Sequence, residues 1–245
     1  EISAKLDELK TQVEVSGSGQ TVTVRFDSLR KNLPEVLNLI GDILRKPTLA
    51  AKEFDLLVQE STAGLESQRS EPNAIASNAL GRALNQYKKG DIRYTPTFDE
   101  RIADYKAAKL EDVQKFYAHA FGTQNGHFSL VGDFDAREME NTARSLFGDW
   151  NNKLAFKRVP KPVSTPKPET VLIETPDKAN ALFLAGLPLA VQDSSPDYDT
   201  MLVINEILGG GTQSRLMQRL RQKDGMSYGA GSQIAVSSFE PSGQL

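Results

Sequence analysis

Residues 156–169, FKRVPKPVSTPKPE, hold four prolines among several charges, and no other segment limits the folds open to this chain so strongly. Each proline fixes φ and lacks an N–H, so the stretch neither continues a helix nor sits in a central strand. It favours an extended, semi-rigid connector. The chain is therefore expected to divide into a first domain over 1–155, a linker over 156–169 and a second domain over 170–245. The opening residues Glu1, Ile2, Ser3, Ala4 and Lys5 lack the apolar segment of a signal peptide. The start reads as a cut inside something longer, so that the first domain lacks its beginning and the second its end.

Hydrophobic spacing gives the elements on either side. In QTVTVRFDSL, Val22, Val24 and Phe26 alternate with polar neighbours, the period of a half-buried strand. Asn32 is placed to cap a helix whose Leu33, Val36, Leu37, Ile40, Ile43 and Leu44 form one apolar stripe. Pro47 breaks it, and Thr48 is expected to cap a longer helix with Phe54, Leu57, Val58 and Leu65. Pro72 sits near the first turn of another helix reaching Tyr87, which Gly90 ends. Thr97 and Glu100 form a capping-box pattern, LEDVQKFYAHAFG reads as a helix closed by Gly122, and GHFSLVGDF returns to strand character. Asp135 should cap AREMENTARSLF, with Gly148 as a left-handed C-terminal cap.

Beyond the linker, TVLIET and NALFLAGLP read as strands, and Ser195–Pro196 starts a helix with Tyr198, Met201, Leu202, Ile207 and Leu208 inward. Gly209, Gly210 and Gly211 close it as a flexible turn. TQSRLMQRLRQKDG is then a basic amphipathic helix, and MSYGAGSQIAVSSF a strand. Without strict βαβ alternation, the pattern predicts an α+β fold, helices packed on a mainly antiparallel sheet.

Composition excludes several functions. With 29 basic against 32 acidic residues and no long run of either sign, there is no footprint for nucleic acid or an anionic membrane. No apolar run is long enough to span a bilayer. The absence of cysteine removes disulfides, thiolate metal sites and cysteine nucleophiles. The only histidines, His119 and His127, are too far apart for a helical zinc pair and read as structural or surface residues. No serine lies in a Gly-x-Ser-x-Gly elbow. GGGTQSR follows a helix and lacks the ending that grips phosphate. Asp133, Asp135 and Glu138 could suggest a calcium or acid–base site, but capping and a turn explain them more simply. In LRQKDGMSYG, a turn at Gly225 would bring Arg221 and Tyr228 together, a guanidinium and a phenol that suit a polarised carbonyl or an oxyanion. Taken alone, the same two residues also fit ordinary packing.

Two blocks, SLVGDFDAREMENTARSLFGDW and INEILGGGTQSRLMQRLRQKDGMSYGAGS, resemble the insulinase/pitrilysin/processing-peptidase family of inverzincin zinc metallopeptidases. The second is the more specific: a Leu-Gly-Gly-Gly turn (Leu208–Gly211), then Ser214–Leu216, then Arg221 and, seven residues on, Tyr228. GDIRYTPTFDERIADYKAAKLEDVQKFYAHAFG is similar to the C-terminal, non-zinc half of long bacterial members.

The resemblance implies that Arg221 and Tyr228 bind substrate and stabilise the tetrahedral intermediate, with Gly209, Gly210 and Gly211 as a hinge. It implies zinc in the intact protein, which activates the water that attacks a peptide bond, and none bound by this fragment. The inverted His-x-x-Glu-His motif would lie outside the chain. Glu60 stands roughly where catalytic halves carry a distal glutamate ligand, but without two histidines it is not read as one. The implied partners are the zinc-binding half, on the same chain or a separate subunit, and a peptide substrate. The implied setting is the bacterial periplasm or export. The fragment alone is expected to be inactive. The competing expectation is a catalytically inactive structural or binding subunit of the same fold family.

Overall fold

The computed structural model describes residues 2–152 and 154–245. In chain order the main elements are α1 (Ile2–Glu8), β1 (Gln12–Ser18), β2 (Thr21–Asp27), α2 (Leu33–Arg45), α3 (Ala51–Gln68), α4 (Pro72–Ala83), α5 (Phe98–Ala107), α6 (Leu110–Ala120) and α7 (Ala136–Phe147). After a long stretch without regular structure come β3 (Pro188–Leu189), α8 (Tyr198–Asn205), β4 (Ala235–Val236) and β5 (Gly243–Gln244). The fold is α+β, helices with small antiparallel sheets, as expected.

The chain forms two compact units, Glu1–Val58 with Ala107–Val159, and Gln59–Lys106 with Pro160–Leu245. The break at Val159–Pro160 falls within the proline-rich stretch. This division interleaves along the chain.

In the first unit, β1 and β2 form a hairpin with Ser18 opposite Thr21. Gly19 makes that tight reversal with φ +59°, a left-handed conformation open to glycine without strain. The α2 stripe is buried as its spacing predicts: Val36 and Ile40 cluster with Leu9, and Leu33 and Leu37 with Met139 of α7. Phe26 of β2 packs against both clusters. Arg45, ending α2, donates to the Leu146 carbonyl at 2.6 Å and pairs with Asp149 at 2.7 Å, tying the C-terminal ends of α2 and α7 together.

Caps divide into those that are local and those that are not. Asp135 accepts from the Glu138 N–H at 2.8 Å, as expected. Asn32 does not cap α2; a 3₁₀ turn over Arg30–Asn32 precedes the helix, and the Asn32 amide donates instead to the Leu9 carbonyl at 2.7 Å. Gly148 is not left-handed. Its φ is −66°, and its N–H bonds to the Arg144 carbonyl so closely that an added Cβ would sit 2.6 Å from that oxygen. α3 starts at Ala51, after Leu49 turns the chain with φ +41°, instead of directly after Thr48.

In the second unit, the Thr97–Glu100 capping box is present: the Glu100 N–H donates to Thr97 Oγ1 at 3.1 Å and the Thr97 N–H to Glu100 Oε2 at 2.9 Å. Lys89 and the Tyr94 hydroxyl also donate to Glu100. These bonds, led by the Thr97 amide, hold the carboxyl at about 2, below its ordinary value. α4 stops at Ala83, so Tyr87 lies beyond it, its ring beneath the Arg93 guanidinium at 3.9 Å. Arg93 grips Asp91 with two nitrogens, which lowers that carboxyl to about 2.

The sheet is smaller than the sequence predicts. GHFSLVGDF and TVLIET form no strand, Pro188–Leu189 at the end of NALFLAGLP and Ala235–Val236 within MSYGAGSQIAVSSF each pair antiparallel to β5, and Ser237 adds one isolated parallel bridge to Gln192. The apolar residues of these segments are covered only in part: Leu130 and Phe134 pack against the Leu33, Leu37 and Met139 cluster, whereas Val131 is 98% exposed and Leu172 93%. Of the residues expected to point inward from the helix after Pro196, Tyr198, Met201 and Leu208 are half-buried, whereas Leu202 and Ile207 are exposed. Strand patterning states which residues want burial, but pairing needs partners that no single segment contains.

Candidate functional site

The Arg221–Tyr228 turn is built on an irregular helical frame. After Asn205, α8 widens into a π-helical turn over Glu206–Gly210, and a second π-helical segment runs from Met217 to Lys223. Such widened turns recur at functional sites. The basic helix expected at TQSRLMQRLRQKDG is thus present in its C-terminal part, but with π-helical hydrogen bonding. Asp224 follows, its carboxylate accepting from Arg219 Nε at 2.6 Å.

Gly225 then turns the chain with φ +60°. The N–H groups of Met226 and Ser227 both donate to the Leu220 carbonyl, at 2.9 and 3.3 Å, folding the chain back along the helix it has left. Tyr228 thereby comes beside Arg221, whose guanidinium carbon lies 4.7 Å from the ring centroid. That is cation–π range. Tyr228 is 87% exposed, and among the described residues neither its hydroxyl nor the guanidinium has a hydrogen-bond or ion-pair partner. Chemically, this is a stacked pair with free donors presented to solvent.

The three glycines lie at the base of this frame, and at Gly209 space explains the residue better than backbone freedom does. None has a positive φ; Gly211, at φ −134° and ψ 173°, is in extended backbone open to any residue. A Cβ on Gly209 would collide with the Ser232 backbone, whereas one on Gly210 or Gly211 would meet the Glu206 carboxylate, the movable end of a flexible side chain that folds back over the turn. Gly209 is buried, and its carbonyl accepts from the Ser232 N–H at 3.1 Å.

Asn205, Ser232, Glu206 and Asp224 are contributors that sequence reasoning missed. Asp224 before Gly225 carries a turn signal that could have found it. The Asn205–Ser232 contact spans 27 positions and has no local signature.

The other candidates take structural places. His119 Nδ1 lies 2.7 Å from the Lys115 carbonyl one helical turn back, and His127 is exposed. Asp133 pairs with Arg30 at 2.5 Å, and Asp135 is spent as a cap. Glu60 is exposed on α3. Among the described residues, no group of three or more His, Asp or Glu side chains is placed to hold a metal ion, so the residues present do not fit zinc.

Residues 107–245 match the family model described as the peptidase M16 inactive domain. The chain belongs to the peptidase M16 family. Among curated proteins it is 23% identical over 233 residues to the Helicobacter pylori "Non-peptidase homolog YmxG", covering 91% of this chain and 50% of that protein. It is 24% identical over 233 residues to an "Uncharacterized zinc protease" of Rickettsia bellii, covering 88% and 50%. This M16 chain therefore spans about half the length of the curated relatives it matches.

Among solved structures, the peptidase M16 inactive domain from Pseudomonas fluorescens aligns with a TM-score of 0.75 at 23% identity, over 99% of this chain and 58% of that one. A protease from Helicobacter pylori aligns with a TM-score of 0.70 at 16% identity, over 99% and 58%. These likenesses show the M16 fold. No helix among the described residues is long and apolar enough to cross a membrane.

Proposed function

We propose that this chain is the non-catalytic half of a zinc-dependent metalloendopeptidase, in which Arg221 and Tyr228 bind the peptide substrate and donate to the oxyanion that forms at the scissile carbonyl. The observation that carries this reading is the stacked, exposed Arg221–Tyr228 pair with its donors unengaged. A donor already committed inside the protein would have to break a bond before serving substrate; here that cost is absent. Zinc in this reading is held by the other half, on the same chain or a separate subunit. In family terms, residues 1–155 then close one domain, 156–169 link, and 170–245 open the next.

The test is turnover of the intact, zinc-loaded protein on a peptide substrate. Tyr228→Phe removes one hydroxyl and keeps the ring under Arg221, so kcat should fall about a hundredfold with KM little changed. An unchanged kcat refutes the oxyanion role.

A second reading, a catalytically inactive structural or binding subunit, is favoured by the likeness to the Helicobacter pylori "Non-peptidase homolog YmxG". Absence of cleavage by the intact wild type would select it.

A further inference from the structure

Tyr228 is too exposed for burial to hold it, so its position is set by the backbone on either side. Upstream, the Met226 and Ser227 N–H groups are fixed on the Leu220 carbonyl. Downstream, the Ala230 N–H donates to Met217 Sδ at 3.3 Å, the Ser232 N–H to the Gly209 carbonyl at 3.1 Å, and the Ser232 hydroxyl to Asn205 Oδ1 at 2.8 Å. The last two bonds join the Tyr228 segment to the end of α8 and the glycine run. They form only because Gly209 has no Cβ, which would overlap the Ser232 nitrogen and hydroxyl and the Gly231 carbonyl carbon.

We infer that Asn205, Gly209 and Ser232 are positioning residues that clamp the Tyr228 segment against α8 and so set the tyrosine hydroxyl relative to Arg221. This rests on the oxyanion reading above for its catalytic consequence, but not for its geometry. Gly209 is then a docking surface for the Ser232 backbone. None of the clamp's side chains is titratable, so its loss moves the position of Tyr228 without adding or removing a charge at the site. A misplacement of about 1 Å in a reacting group can cost on the order of a hundredfold in rate.

The experiment uses the intact, zinc-loaded protein with fluorotyrosine incorporated at position 228, read by fluorine NMR and by steady-state peptide cleavage. Gly209→Ala should shift and broaden the 228 resonance and lower kcat by about a hundredfold, with KM within about twofold of wild type. Ser232→Ala, which deletes only the hydroxyl bond, should move both readouts in the same direction by less. Ser238→Ala, at an exposed serine outside the clamp, should move neither. If Gly209→Ala fails to fold, Ser232→Ala alone decides. A 228 resonance that stays at its wild-type position in a folded clamp variant overturns the inference, as does a raised KM with kcat unchanged. Absence of cleavage in the wild type would defeat the peptidase reading separately, and the fluorine resonance would still decide the clamp.

Discussion

Glu100 gathers the Thr97 amide, the Lys89 ammonium and the Tyr94 hydroxyl on one carboxylate, and its acidity reports what those donors do. Its folded pKa of about 2 lies below its ordinary 4.5, so the bonds stabilise the fold fully above the ordinary value and lose that contribution as pH falls towards about 2. Asp91, also held at about 2 by Arg93, behaves in the same sense. Glu100→Gln should therefore flatten the fall of the thermal midpoint between about pH 5 and about pH 2, relative to wild type. Parallel midpoint curves for the two proteins would show that the network adds nothing. This site was legible because both halves of a capping box lie within one helical turn, and the same is true of Asp135. Asn32 was misread for the complementary reason: its amide goes to Leu9, 23 residues away, and no local pattern announces that choice.

At the scale of elements, α2 is the best-determined piece of the sequence. Its apolar residues recur at three and four positions, and Leu37 and Val36 end almost wholly buried between the hairpin side and α7. Leu37→Ala leaves a cavity there and should cost about 2–5 kcal/mol by denaturant unfolding, whereas Asp135→Ala, which removes only a cap, should cost about 1 kcal/mol. Equal losses would show that Leu37 is less tightly packed than its burial implies. The strands are legible as apolar patterns but not as a sheet, since Val131 and Leu172 carry strand-like sequence yet join no strand among the described residues. The Gly225 turn was readable, because a glycine after a helix end signals a left-handed reversal, and it delivers Tyr228 to Arg221. The glycine run is visible too, but the physical need that Gly209 meets, close approach of Ser232, is a tertiary contact.

On the scale of the whole molecule, the chain spans about half the length of the curated M16 relatives it matches, and it carries two donors without a metal site among its described residues. That combination makes sense if activity belongs to an assembly in which each half supplies what the other lacks. A guanidinium and a phenol stacked on one turn should act on the same oxyanion as a unit, so their losses should not add. The most direct measurement is a double-mutant cycle on the intact, zinc-loaded protein, comparing peptide turnover of wild type, Tyr228→Phe, Arg221→Gln and the double variant. The account predicts that each single substitution lowers kcat by about a hundredfold and that the double variant is scarcely worse than either. Turnover in Tyr228→Phe equal to wild type, or no cleavage by the wild type itself, would contradict it.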